Sequence, residues 1–68
     1  MKEFAVNLKK VRESVGLTQE ELAKELGVSI YTYRNWEAFG KGHCMPKPEM
    51  VIKLTEVLNV GTNELYGR

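Results

Sequence analysis

The sequence predicts an all-α fold of five short helices, and its apolar spacing, its breakers and its lack of strand pattern carry that reading. Apolar residues recur at helical spacing in Phe4, Leu8, Val11 and Val15, in Leu22, Ala23 and Leu26, and in Val51, Leu54 and Leu58. Helix-ending residues separate these stretches: Gly16, Gly27, and a glycine- and proline-containing segment over 39–47. No stretch reads as a strand, and there is no internal repeat or low-complexity segment. At 68 residues the chain is expected to be one small domain, residues 1–68, in which a single core is marginal and helices must pack economically or gain stability from self-association.

The first helix follows from the stripe Phe4, Leu8, Val11 and Val15, with Gly16 where a left-handed cap belongs. Thr18-Gln19-Glu20-Glu21 is a capping box: the Thr18 hydroxyl can accept the Glu21 amide while the Glu21 carboxylate accepts the Thr18 amide. It opens a two-turn helix that Gly27 ends, and Ser29 caps a third helix almost at once. Two short helices joined by a tight glycine turn can brace one another at a steep angle, which leaves the second standing proud of the domain. Residues 39–47 read as a loop. Pro48 suits the first position of a fourth helix, with Glu49 near its positive end. Residues 60–65 read as a short fifth helix capped by Gly61 or Thr62 and anchored by Leu65.

Composition excludes several functions. One histidine, no aspartate and no glycine-rich phosphate loop after a strand leave no nucleophile with its base and no phosphate cradle, so no catalytic residues are assigned and the chain is not read as an enzyme. His43-Cys44-Met45 supplies too few donors for a metal site and reads as an exposed loop; no metal or cofactor is expected. The single cysteine cannot form an internal disulfide, which fits a reducing cytoplasm. No apolar run is long enough for a membrane span or a signal peptide. The formal charge is only +1, but residues 1–17 and 29–48 are each a net +2 while the stretches between and after them are acidic, so a mild positive face is expected.

Plotted at about 100° per residue, the third helix separates into two faces. Tyr33 and Trp36 fall on one side, flanked by Ile30 and Glu37; Tyr31, Thr32 and Asn35 fall opposite, and Arg34 lies at the edge. The first side is the expected core contact. The second combines hydrogen-bonding groups with one flat apolar surface near a helix N-terminus, which suits reading base edges in a major groove. A carboxylate beside the core needs a partner, and Arg12, one residue past Val11, is the nearest basic candidate, so a partly buried Arg12–Glu37 ion pair is expected.

"VRESVGLTQEELAKELGVSIYTYRNWE", residues 11–37, resembles the helix-turn-helix of the lambdoid phage repressor and Cro family, also called the Xre family. "KPEMVIKLTEVLNVGTNEL", residues 47–65, is similar to that family's closing two helices. The resemblance implies a five-helix, repressor-like helix-turn-helix domain, with the helix-turn-helix unit at residues 18–38 and the third helix in the major groove. Carried over position by position, base reading falls on Ile30, Tyr31, Thr32 and Asn35. Phosphate contacts fall on Thr18 and Gln19 at the start of the second helix, joined by Arg34 and by Lys41 and Lys47 of the loop. Arg12 and Glu37 match a recurrent family pairing.

Two departures accompany the resemblance. In the usual pattern glycine stands two residues after the "WE" glutamate and proline about six after it; here Phe39 holds the glycine place and Pro46 comes nine after Glu37, so the loop is longer. Little chain lies beyond Leu65 and Tyr66 to make a dimer contact. The expectation is a cytoplasmic, sequence-specific regulator of transcription, a repressor that binds a palindromic operator in double-stranded DNA as a homodimer. The competing expectation is a protein-interaction module that keeps the fold without reading DNA, such as an antitoxin or accessory subunit, which the modest charge and the side chains of Tyr31 and Phe39 allow.

Overall fold

The computed structural model describes residues 3–67. Five α-helices follow in order, α1 (Glu3–Ser14), α2 (Gln19–Leu26), α3 (Ile30–Ala38), α4 (Pro48–Leu58) and α5 (Thr62–Tyr66), and no strand occurs among the described residues. One short 3-10 turn, Gly42–Cys44, interrupts the segment expected to be a plain loop. None of the described helices is long and apolar enough to cross a membrane.

α1 buries Phe4, Ala5, Leu8 and Arg12. The expected stripe is corrected at its end, because Val15 is 45% exposed. The helix stops at Ser14, and Gly16 turns the chain with φ +78° while its amide donates to the Glu13 carbonyl and the Leu17 amide to that of Arg12. That left-handed cap swings Val15 outward and packs Leu17 against the core in its place.

The capping box of α2 forms in both directions: the Thr18 amide donates to Glu21 Oε1 at 2.9 Å and the Glu21 amide to Thr18 Oγ1 at 3.1 Å. Gly27 closes α2 at φ +74°, and Val28 packs on the core before Ser29 caps α3. Leu22, Ala23 and Leu26 are buried, and Lys53 of α4 donates to the Leu26 carbonyl at 3.2 Å, which ties the end of α2 to α4.

α3 inserts Tyr33 and Trp36 into the core, with ring centroids 5.7 Å apart in an edge-on arrangement. It runs as far as Ala38, and the turn that follows uses Gly40 rather than Phe39. Gly40 has φ +61°, and a Cβ there would stand 2.9 Å from both the Cβ and the amide nitrogen of Ala5. The glycine displaced in the sequence pattern is thus the one that lets the chain cross α1 closely. Beyond it, Met45 packs against the core and Pro46 is buried. Cys44 is half-buried, which corrects the fully exposed loop expected there; exposure of the His43 side chain lies outside the described residues.

α4 starts with Pro48 at its first turn, buries Val51, Leu54 and Leu58, and ends at Asn59 in the left-handed region. Gly61 caps α5, with its amide donating to the Glu64 carboxylate at 3.0 Å. Leu65 anchors α5 in the core, Tyr66 rests on Phe4 with centroids 5.3 Å apart, and Asn7 donates to the Leu65 carbonyl at 3.3 Å. α1 therefore packs against both α5 and α3.

Candidate nucleic-acid interface

α3 carries the residues singled out for base reading, and the structure divides them. Tyr31 is 73% exposed, and Thr32, Arg34 and Asn35 are exposed with it. Ile30 is half-buried and packs against the core, so the edge available to a partner is Tyr31, Thr32 and Asn35 with Arg34 beside them. A helix turns about 100° per residue, which puts these four within less than half of its circumference.

What holds that edge in place is the buried Glu37 carboxylate on the opposite side of α3. Arg12 Nε donates to Glu37 Oε2 at 2.6 Å and Arg12 Nη2 to Oε1 at 3.3 Å, with the two side chains only 9% and 4% exposed. Gln19 Nε2 adds a donor to Oε1 at 2.9 Å, and the Tyr33 hydroxyl donates to Oε2. Arg12 Nη1 meanwhile donates to the Leu17 carbonyl at 2.7 Å. One carboxylate thus receives donors from α1, α2 and α3, and no buried side-chain polar atom among the described residues lacks a partner.

The electrostatics follow from that arrangement. Burial by itself would raise the Glu37 pKa, but the hydrogen bonds from Arg12, Tyr33 and Gln19 outweigh it and hold the carboxyl below its ordinary range. The hydrogen bond to Glu37 strengthens the cationic form of Arg12. Burial, followed by the neighbouring carboxylate, pushes the Tyr33 hydroxyl above the usual tyrosine range, so it stays a protonated donor.

The proposed phosphate contacts fall into three groups. Thr18 is exposed, yet its amide and its hydroxyl oxygen are already engaged by Glu21. The amides of Gln19 and Glu20 open α2 and have no partner within the helix, although the Glu20 and Glu21 carboxylates stand in the same turn. Gln19 is half-buried with one amide proton committed to Glu37, so it joins the start of α2 to α3. Lys47 caps α4 and lines, with Thr32, Trp36 and Pro46, a groove of about 340 Å³ running beside the exposed edge of α3. Lys41 is exposed too but borders a different groove, of about 490 Å³, with Phe39, Gly42 and Cys44. The structure therefore brings Thr32 and Lys47 together and puts Lys41 beside Phe39.

Sequence reasoning missed two members of the Glu37 cluster, Gln19 and Tyr33. The tyrosine was findable, since residues 33 and 37 are one helical turn apart and a carboxylate with two oxygens has room for more donors than one arginine supplies. Among the described residues no group of three or more histidine, cysteine, aspartate or glutamate side chains could hold a metal ion.

The helix-turn-helix family profile matches residues 8–65 of the chain. Over 57 residues, 84% of the chain, the sequence is 32% identical to the cryptic phage CTXphi transcriptional repressor RstR of Vibrio cholerae serotype O1. The matched chain spans about half the length, 48%, of that curated relative. No solved structure matches the chain.

Proposed function

The chain belongs to the phage repressor and Cro (Xre) type of helix-turn-helix DNA-binding regulators, which are not enzymes, and we propose that it is a cytoplasmic repressor that binds a palindromic operator as a homodimer. In this reading α3 lies in the major groove. Tyr31, Thr32 and Asn35 meet base edges, with Ile30 at the near end of the helix able to touch a thymine methyl. Thr18, Gln19, Arg34, Lys41 and Lys47 meet phosphates, which position the protein without selecting sequence.

The observation that carries the reading is the exposed edge of Tyr31, Thr32 and Asn35 on a helix locked from behind through Glu37. A reading element must hold its side chains in one geometry before it meets DNA, because side-chain ordering on binding costs affinity. The likeness to a protein described as a transcriptional repressor supports the repressor reading.

Selection from randomised duplexes at a stated salt concentration tests the reading. The expected result is an enriched palindrome whose half-sites lie about one helical turn, ~34 Å, apart. Failure to enrich any sequence would refute it in favour of a protein partner, for which the exposed Tyr31 and Phe39 are the candidate contacts.

A further inference from the structure

Ser29 caps α3, and its Oγ accepts the Thr32 amide at 3.1 Å. The same Oγ lies 3.0 Å from Thr32 Oγ1, a distance at which one hydroxyl donates to the other. A hydroxyl has one proton and two lone-pair directions. With one lone pair on the helix amide, Ser29 keeps its proton available for Thr32. In that direction Thr32 accepts from Ser29, and no other described residue takes the Thr32 proton. Thr32 is exposed and borders the groove shared with Lys47, so that proton is open to a partner outside the chain.

We propose that Ser29 is the donor of this hydroxyl pair and thereby a positioning residue that leaves the Thr32 hydroxyl as a hydrogen-bond donor towards DNA, so that Thr32 rejects cytosine at one position of each half-site. The proposal rests on α3 lying in the major groove. There guanine offers N7 and O6, adenine N7 and thymine O4 as acceptors, whereas cytosine offers only its N4 donor. A donor held in place discriminates against cytosine; a freely rotating hydroxyl, able to donate or accept, does not. The N-cap of α3 thus has two tasks, starting the helix and setting the polarity of one reading group.

Ser29→Asp separates the two tasks. Aspartate is as good an N-cap as serine, but an ionised carboxylate only accepts, so the Thr32 proton would turn inward and its lone pairs outward. Selection from randomised duplexes is run on the wild-type protein, Ser29→Ala, Ser29→Asp and Thr32→Val, with the thermal midpoint of each protein measured alongside. The wild type is expected to exclude cytosine at one position per half-site. Ser29→Ala and Thr32→Val are expected to admit it there about two- to tenfold more often, the net worth of one hydrogen bond, with the other positions unchanged. Ser29→Asp is expected to keep the wild-type midpoint and shift the same position towards cytosine. Unaltered base profiles in Ser29→Asp and Thr32→Val would overturn the positioning role and leave Ser29 a cap only. If the wild type enriches no sequence, the groove reading itself falls and the proposal with it.

Discussion

Arg12 and Glu37, 25 residues apart in sequence, meet in a two-point ion pair, with Arg12 Nε 2.6 Å from one carboxylate oxygen and Nη2 3.3 Å from the other. Arg12 is buried, occupying the position one helical turn after Leu8 where an amphipathic stripe would carry another apolar side chain. Arg12→Ala leaves the carboxylate buried without its cation, and the expected loss is about 3–5 kcal/mol of unfolding free energy. Urea denaturation reads it. Arg12→Met combined with Glu37→Leu should recover only part of that loss, since it removes the unpaired charge but leaves the Tyr33 hydroxyl without its acceptor. An unfolding midpoint for Arg12→Ala equal to the wild type's would contradict this.

Glu37 and Tyr33 make stability depend on pH at opposite ends of the scale. Glu37 has its pKa lowered from 4.5, because donors from Arg12, Tyr33 and Gln19 outweigh the burial that would raise it. Its contribution is therefore complete above about pH 4.5 and is lost as pH falls through the lower folded value. Tyr33 has its pKa raised from 10.0, first by burial and then by Glu37, so its contribution is complete below pH 10 and is lost as pH rises beyond it. Glu37→Gln should flatten the acid limb of a stability–pH curve and Tyr33→Phe the alkaline limb. Limbs as steep in the variants as in the wild type would show that neither group is linked to folding.

Gly40 and Gly42 share a left-handed backbone but not the same surroundings, with φ +61° and +58°. A Cβ at Gly42 meets nothing within 4 Å, so Gly42→Ala should cost only the backbone penalty, about 1–2 kcal/mol. At Gly40 the Cβ would come within 2.9 Å of Ala5, so Gly40→Ala should cost about 1–3 kcal/mol more, as overpacking does. Equal losses in urea denaturation would mean that α1 yields at that contact.

The parts of the fold legible in the sequence were those set by neighbours along the chain. The Thr18–Glu21 capping box, the Gly27 turn, Pro48 at the start of α4 and the inward pair Tyr33 and Trp36 all follow from local backbone chemistry or helical period. Arg12–Glu37 was legible as well, because a carboxylate beside core side chains demands a cation and few were in reach. Less was visible where the path of the chain decides. Val15 continues the period of α1, but Gly16 redirects the backbone and Leu17 is packed in its stead. Gln19 reaches Glu37 only because α2 crosses α3 at a particular angle, which no local pattern encodes. Ile30 stood at the boundary of the projection, and tertiary packing drew it towards the core.

The division of labour on the interface is tested most directly by measuring two variants on two DNAs at fixed salt. Asn35→Ala should lose about 1–3 kcal/mol on the selected operator and almost nothing on random duplex, as the proposed base contact requires. Lys41→Ala should weaken binding to both and lower the steepness with which affinity falls as salt rises, as the proposed phosphate contact requires. Equal losses on both DNAs for both variants would contradict the assignment of α3 as the reading helix.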